Sequence, residues 1–328
     1  MKVWKRSLPV WLLTLVMLLT ACGTPSQPDQ PDGTETWREA YEETGAYLQA
    51  QTAPTVGSIG GEWAVIGLSR ARLLSDETAQ SYEQTVEDYV KQAGSVRLHH
   101  AKSTENSRTI LGLTAAGYNA ANVAGVDLTA GLTDMAYLRA QGTNGPIWAL
   151  IALDCHGYDI PQCADGEEQT TREGLVAEIL SYQCSDGGWA LMGDESDVDM
   201  TAMALTSLAP YQEETDVKAA VDTALTYLSD AQQADGGFMS WGAANSESCA
   251  QVIVALTALG IDPAADSRFV KNGASPLDGL CAFACEGGGF RHSDEQMESD
   301  GMATEQGFYA LVAYDRFRQG KTRLFDMT

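Results

Sequence analysis

The residues best placed to do chemistry in this 328-residue chain are two carboxylates one residue apart, in Asp197-Val198-Asp199-Met200-Thr201-Ala202. A carboxyl group delivers a proton only if it is held neutral, and burial or a nearby negative charge is what holds it so. Asp199 is the candidate acid and Asp197 its neighbour. Glu62 is a second candidate, because it follows Gly60-Gly61 and precedes Trp63, setting a carboxylate beside an aromatic face close to bare backbone. Cys281 and Cys285, four residues apart with His292 beyond, supply fewer ligands than four-coordinate zinc takes, so no metal site is expected. His99-His100 beside Lys102 reads as a solvated loop. No nucleophile elbow or zinc-protease helix is present, and no cofactor is expected.

These residues sit in a repeat. A helix ends, a paired-glycine turn places an aromatic, and a polar segment leads into an Ala/Leu-rich helix. The turn recurs as Asp186-Gly187-Gly188-Trp189, Asp235-Gly236-Gly237-Phe238 and Gly287-Gly288-Gly289-Phe290. Glycine there can take positive φ at a helix end, where a Cβ would clash. Six helix pairs can be read. The second helix of each carries a small residue before leucine: Gly67-Leu68, Gly112-Leu113, Ala152-Leu153, Ala204-Leu205, Ala255-Leu256 and Ala310-Leu311. The first helices are amphipathic, over 36–51, 78–93, 128–141, 170–183, 216–233 and 266–284. The apolar set should be inner and the amphipathic set outer. No run alternates with period two, so no β domain is expected.

Four residues, about one helical turn, before each small residue stand Trp63, Arg108, Trp148, Met200, Gln251 and Gln306. Aromatic area with a few polar groups is the composition of a ligand pocket, and with Glu62 these are the expected ligand-binding residues. Five residues back stand Glu62, Ser107, Asp199 and Glu305. Capping of helix N-termini accounts for Ser107 and Asp199, and Glu62, Asp199, Glu305 and Arg108 together are expected to form a polar rim over an aromatic floor.

The array resembles the bacterial prenyltransferase and squalene-oxidase repeat proteins, of the α/α-toroid superfamily that includes terpenoid cyclases, protein prenyltransferase β-subunits and corrinoid binders. The resemblance rests on the glycine-pair turns, on the run from Gly60 to Leu68 and on Asn144-Gly145-Pro146-Ile147-Trp148-Ala149-Leu150, and it covers about residues 36–318. It implies an all-α fold, a ring of six helical hairpins around a central cavity. The run from Asp197 is similar to the Asp-X-Asp-Asp-Thr-Ala motif of class II cyclases, in which the second Asp is the acid. Here Met200 replaces the last Asp, and the second helical domain of those cyclases has no counterpart.

The N-terminus carries Lys2, Lys5 and Arg6, then an apolar stretch ending Leu18-Leu19-Thr20-Ala21-Cys22. This resembles the bacterial lipoprotein box, which implies a signal peptide over 1–21, acylation of Cys22, and a membrane anchor on the extracytoplasmic face. Residues 22–35, with Pro25, Pro28 and Pro31, read as a disordered tether, and 36–328 as one domain. From Cys22 onward 17 basic residues face 45 acidic ones, a charge of −28 that excludes nucleic acid as a partner. Six further cysteines, Cys155, Cys163, Cys184, Cys249, Cys281 and Cys285, could pair in an exported protein or remain buried thiols. The favoured reading is a lipid-anchored protein binding an apolar or amphipathic small molecule, isoprenoid- or corrinoid-like, in the ring. The alternatives are a cyclase- or prenyltransferase-like enzyme with Asp199 as acid, and a surface module that docks a protein partner.

Overall fold

A computed structural model describes residues 33–51 and 53–328; the expected signal segment, Cys22 and the expected tether as far as residue 32 lie outside the described residues. Twelve α-helices alternate between two rings among the described residues. The outer set is α1 (Gly33–Gln51), α3 (Asp76–Ala93), α5 (Met135–Arg139), α7 (Arg172–Ser181), α9 (Thr215–Ala231) and α11 (Pro276–Cys281). The inner set is α2 (Glu62–Arg70), α4 (Thr104–Ala115), α6 (Asn144–Asp154), α8 (Val198–Leu208), α10 (Ser246–Ala258) and α12 (Gly301–Arg318). Each inner helix packs on the next, and α12 packs back on α2, which closes the ring. The fold is an α/α toroid. No helix among the described residues is long and apolar enough to cross a membrane.

The glycine-pair turns set where the inner helices begin. Gly187 and Gly236 have φ of +91° and +86°, and a Cβ on Gly236 would stand 2.1 Å from the Ser275 carbonyl oxygen. Only glycine fits there. The aromatics that follow, Trp189, Phe238 and Phe290, are fully buried. Burying a large side chain of this kind contributes about 1.5–3 kcal/mol. The backbone N–H groups of Trp189 and Phe290 donate to the hydroxyls of Thr201 and Thr304, at 2.9 and 3.0 Å. Each threonine lies four residues past a capping aspartate: Asp197 receives the amides of Asp199 and Met200 at 3.0 and 3.1 Å, and Asp300 that of Ala303 at 3.0 Å. Asn245 caps α10 in the same way, through the Ser248 amide at 2.8 Å. Turn, aromatic and cap thus act as one device that fixes the start of α8, α10 and α12.

Two outer helices are shorter than their sequence pattern. Over 128–141 the chain makes a tight 3-10 turn (Leu128–Leu132) before α5. Asn106 of α4 holds that segment through the Val96 and Leu128 carbonyls and the Leu98 amide, and Asp134 restarts the helix by capping the Ala136 amide at 3.1 Å. Over 266–284 only α11 is helical. Pro276 disfavours helical backbone at the residue before it, and Ser275 with Asp278 forms a capping box that starts the helix there. Between α9 and α10, Met239–Ser240 and Ala243–Ala244 pair as a small antiparallel hairpin, not a β domain.

Candidate functional site

The predicted wall residues converge in two groups. The Trp63 and Trp148 rings lie 5.0 Å apart, and Trp63 meets Tyr309 edge-on at 5.9 Å. Gln251 Nε2 donates to Gln306 Oε1 at 2.9 Å and to the Tyr309 hydroxyl at 2.6 Å. The second group is ionic: Arg108 Nε donates to Glu62 Oε2 at 2.8 Å, and Arg108 Nη2 to Glu105 at 2.5 Å. The sequence reading missed Tyr309, although it stands three residues after Gln306 and therefore on its face of α12. It also missed Phe325, whose ring meets Trp148 and Tyr309 edge-on at 5.8 and 6.3 Å. Phe325 belongs to no repeat, so no periodic signal could reveal it. With it, rings from α2, α6, α12 and the C-terminal segment form one aromatic cluster.

Met200 is buried near the start of α8, where the small-leucine phrase stands nearer the cap than in α10 and α12. Ala255 and Ala310 lie ten residues past their caps, Asn245 and Asp300, but Ala204 lies only seven past Asp197. Counting from the caps, Met203 is the residue at the level of Gln251 and Gln306, while Glu247 is at the level of Asp199. The small residues are crowded by neighbouring helices as well as by the ring's interior. A Cβ on Gly67 would meet Phe308 of α12 at 2.8 Å, and one on Gly112 would meet the Tyr82 hydroxyl of α3 at 2.4 Å.

The N-terminal end of the ring is acidic. Glu62, Glu105, Asp199 and Glu247 lie in the first turns of α2, α4, α8 and α10. Glu62 is fully buried. It accepts from the Gly57 amide at 3.0 Å as well as from Arg108. Burial pushes its pKa up and Arg108 pulls it back; burial alone would lower the Arg108 pKa, but Glu62 and Glu105 outweigh it and raise it. Asp197, not Asp199, caps α8, and its second oxygen accepts from Ser240 at 2.5 Å. Ser107 donates to the Ser103 carbonyl and caps nothing. Asp199 is left with a buried Oδ1 that has no hydrogen-bond partner. Its pKa is pushed up to about 6 by burial, with the Ser248 and Ser240 hydroxyls opposing and the charges of Asp197 and Glu247 adding to the rise. Such a group can donate a proton near neutral pH. Glu247 is paired with His292 Nδ1 at 2.9 Å, so His292 is engaged there rather than with Cys281 and Cys285. The expected rim is therefore divided: Glu62 and Arg108 pair with each other, Asp199 joins Glu247, and Glu305 turns to a cavity of its own. All six cysteines from Cys155 to Cys285 are free thiols; burial pushes Cys155, Cys249 and Cys281 up to about 12, which leaves them unreactive.

The C-terminal end of the ring holds a cavity of about 290 Å³. Ile151, Val254 and Ala258 of α6, α10 and their neighbours form its apolar wall, and Leu324 and Phe325 of the C-terminal strap close it. Its polar lining includes Arg172, Asp154 and Tyr211 on one side and Arg323 and Asp326 of the strap on the other, with Thr206, Ser207 and Thr328. Arg172 Nε and the Tyr211 hydroxyl both donate to Asp154, each at 2.7 Å. The strap is tied down by Arg70 Nη2, which donates to the Arg323 and Asp326 carbonyls at 2.9 and 2.6 Å, and by the Met327 amide on the Cys155 carbonyl at 2.7 Å.

An α/α toroid with an aromatic cluster, an acidic end and an apolar-walled cavity is the class that fold and site define. No family model and no curated protein sequence matches the chain. Among solved structures it is similar to the unsaturated glucuronyl hydrolase of Bacillus sp. GL1, with a TM-score of 0.59 and 11% identity over 90% of this chain and 99% of that one. It is also similar to a polysaccharide lyase, with a TM-score of 0.50 and 14% identity over 88% and 98%. Likeness to an ent-copalyl diphosphate synthase from Streptomyces platensis is lower, at a TM-score of 0.49 and 16% identity over 84% of this chain, which spans 50% of that one. At these identities the shared property is the fold.

Proposed function

We propose that the chain is a binding protein for a small, largely apolar molecule, housed in the cavity between α6, α8, α10 and the 322–328 strap. In this reading a lipid on Cys22 holds the ring at the extracytoplasmic face of a bacterial membrane. The observation that carries it is the cavity's make-up: Ile151, Val254, Ala258, Leu324 and Phe325 enclose about 290 Å³ beside a small set of polar groups. That is the composition of a small-molecule pocket, near the lower bound of about 300 Å³ for such sites. Its acids are each paired with a base, Asp154 with Arg172 and Asp326 with Arg323, which favours holding over chemistry. The volume suits a short isoprenoid-like molecule rather than a corrinoid macrocycle. Withdrawal of Phe325 would join the cavity to Trp63, Trp148, Gln251 and Gln306.

The test is native mass spectrometry of the protein after exposure to a lipid extract and to a corrinoid mixture. A retained mass that disappears in Ala258→Phe, which fills the cavity, supports the reading. Retention unchanged in that variant sinks it. The second reading is an enzyme acting at the acidic end with Asp199 as proton donor. It is favoured by the raised pKa and the free Oδ1 of that side chain. A product mass formed by the protein and abolished in Asp199→Asn would establish it.

A further inference from the structure

Glu305 lies near the N-terminal end of α12, beside the Gly60–Gly61 turn that precedes α2. It is 3% exposed, and its Oε1 accepts from the Gly60 amide at 2.6 Å. Its Oε2 is buried and makes no well-formed hydrogen bond, although the Ala64 amide, like that of Gly60, is close enough to favour the ionised carboxyl. The carboxylate lines a separate cavity of about 200 Å³ between α1, α2 and α12. Leu48, Ile59 and Ala64 give that cavity apolar walls, Tyr47 adds a phenol, and exposed Gln51 and Gly301 mark its mouth. A carboxylate oxygen kept from water without a well-formed hydrogen bond is costly, so the site is incomplete as it stands.

We infer that this cavity binds a primary ammonium group on a short alkyl stem, with the ammonium donating to Glu305 Oε2 and the methylenes packing on Leu48, Ile59 and Ala64. The choice of cation follows from the geometry. A guanidinium binds a carboxylate best with two parallel hydrogen bonds to both oxygens, and Gly60 already holds Oε1. A compact ammonium needs only the one free oxygen. The Tyr47 hydroxyl, 3.2 Å from Ser299 Oγ, stands in the same lining as a further acceptor. Anions are repelled by Glu62 and Asp300, whose charges act on the Glu305 carboxyl. The net charge of −25 raises the local concentration of cations at the mouth. The ammonium can come from a free alkylamine or from a lysine side chain.

Calorimetric titration of the purified protein with n-butylammonium, n-butylguanidinium, n-butanol and Nα-acetyl-lysine N-methylamide tests the site. Saturable binding of n-butylammonium is expected, at least tenfold weaker for n-butylguanidinium and n-butanol and at least tenfold weaker in Glu305→Gln. It should be unchanged in Ala258→Phe, which alters the other cavity; this separates the inference from the proposed function. Equal affinity for the lysine amide assigns a protein or peptide source, and weaker affinity a free amine. Glu305→Gln keeps the acceptor for Gly60. Should it nevertheless fail to fold, the Glu305 carboxyl ¹³C resonance of the unaltered protein, followed during addition of n-butylammonium, decides the matter. A resonance that stays still, or equal binding of n-butanol, overturns the inference.

Discussion

Phe325→Ala tests whether the strap plugs the ring. Phe325 is 8% exposed and lies edge-on to both Trp148 and Tyr309. Removing a buried Phe side chain costs about 3–5 kcal/mol when the surroundings cannot close on the void, and less when they can. Collapse is restrained here on both sides. The strap is fixed by Arg70 and by the Met327–Cys155 bond, while Trp148 is fixed against Trp63. The site does border the 290 Å³ cavity already, so part of the Phe325 ring has loose packing to lose. The low end of the range, about 3 kcal/mol, is therefore expected. With a urea m-value of about 3 kcal/mol/M for a domain of this size, the midpoint should fall by about 1 M at unchanged m. The void opened beside the cavity should also tighten binding of an apolar fluorescent probe several-fold. A midpoint unchanged to within about 0.2 M, together with unchanged probe affinity, would refute the plug.

Other perturbations separate the parts of the site. Asp197→Ala removes the cap of α8 and the partner of Ser240, and should cost about 1–2 kcal/mol in urea denaturation. Arg108→Met leaves the fully buried Glu62 carboxylate unpaired, and should cost about 3–5 kcal/mol. Most of that loss should return in the double variant Glu62→Gln/Arg108→Met, which denaturation of the three proteins checks. Asp199 and Glu305 are raised to about 6 and about 7, chiefly by burial. Their neutral forms suit the folded state, so the stability each contributes is full below the ordinary carboxyl value and fades as pH rises through about 6 and about 7. Asp199→Asn and Glu305→Gln should melt with the unaltered protein at pH 4 and above it at pH 8; the opposite order would show that neighbouring donors outweigh burial.

The sequence pattern reveals the inner ring because its devices are local. A glycine pair, a buried aromatic and a cap sit within a few residues of one another, and each is visible in the residue types. Outer helices are less legible. Residues 128–141 and 266–284 are amphipathic enough to be helical throughout, but Asn106, from another element, and Pro276 decide otherwise. The candidate site was half legible. Trp63, Trp148, Arg108, Gln251 and Gln306 were found because one face of a helix recurs every turn. In α8 the small-leucine phrase lies three residues nearer its cap than in α10 and α12, so alignment on the phrase sets Met200, and alignment on the caps Met203, level with Gln251 and Gln306. Phe325 and the Gly60–Glu305 bond join distant segments, for which periodicity carries no signal.

The two ends of the ring differ because its inner helices run in parallel. Their N-termini meet at one end, where each dipole favours a carboxylate by about 0.3–1 kcal/mol. Carboxylates duly occupy the first turns of α2, α4, α8 and α10. Four like charges around one opening would repel one another, and the structure relieves them in three ways. Arg108 bridges Glu62 and Glu105, Glu247 hydrogen-bonds His292 Nδ1, and burial raises the pKa of Asp199 to about 6. Asp199 is the one member of the set without a basic partner; the Ser248 and Ser240 hydroxyls are the polar groups beside it. At the other end one of the cavity's carboxylates, Asp154, is held by Arg172 and Tyr211, and Ile151, Val254, Ala258, Leu324 and Phe325 give a ligand apolar wall beside Arg323, Asp326 and three hydroxyl residues. The groups suited to proton transfer and those suited to apolar binding thus lie at opposite ends, with the aromatic cluster between them. If both occur in this protein, Asp199→Asn should leave apolar binding intact and Ala258→Phe should leave the acidic end intact.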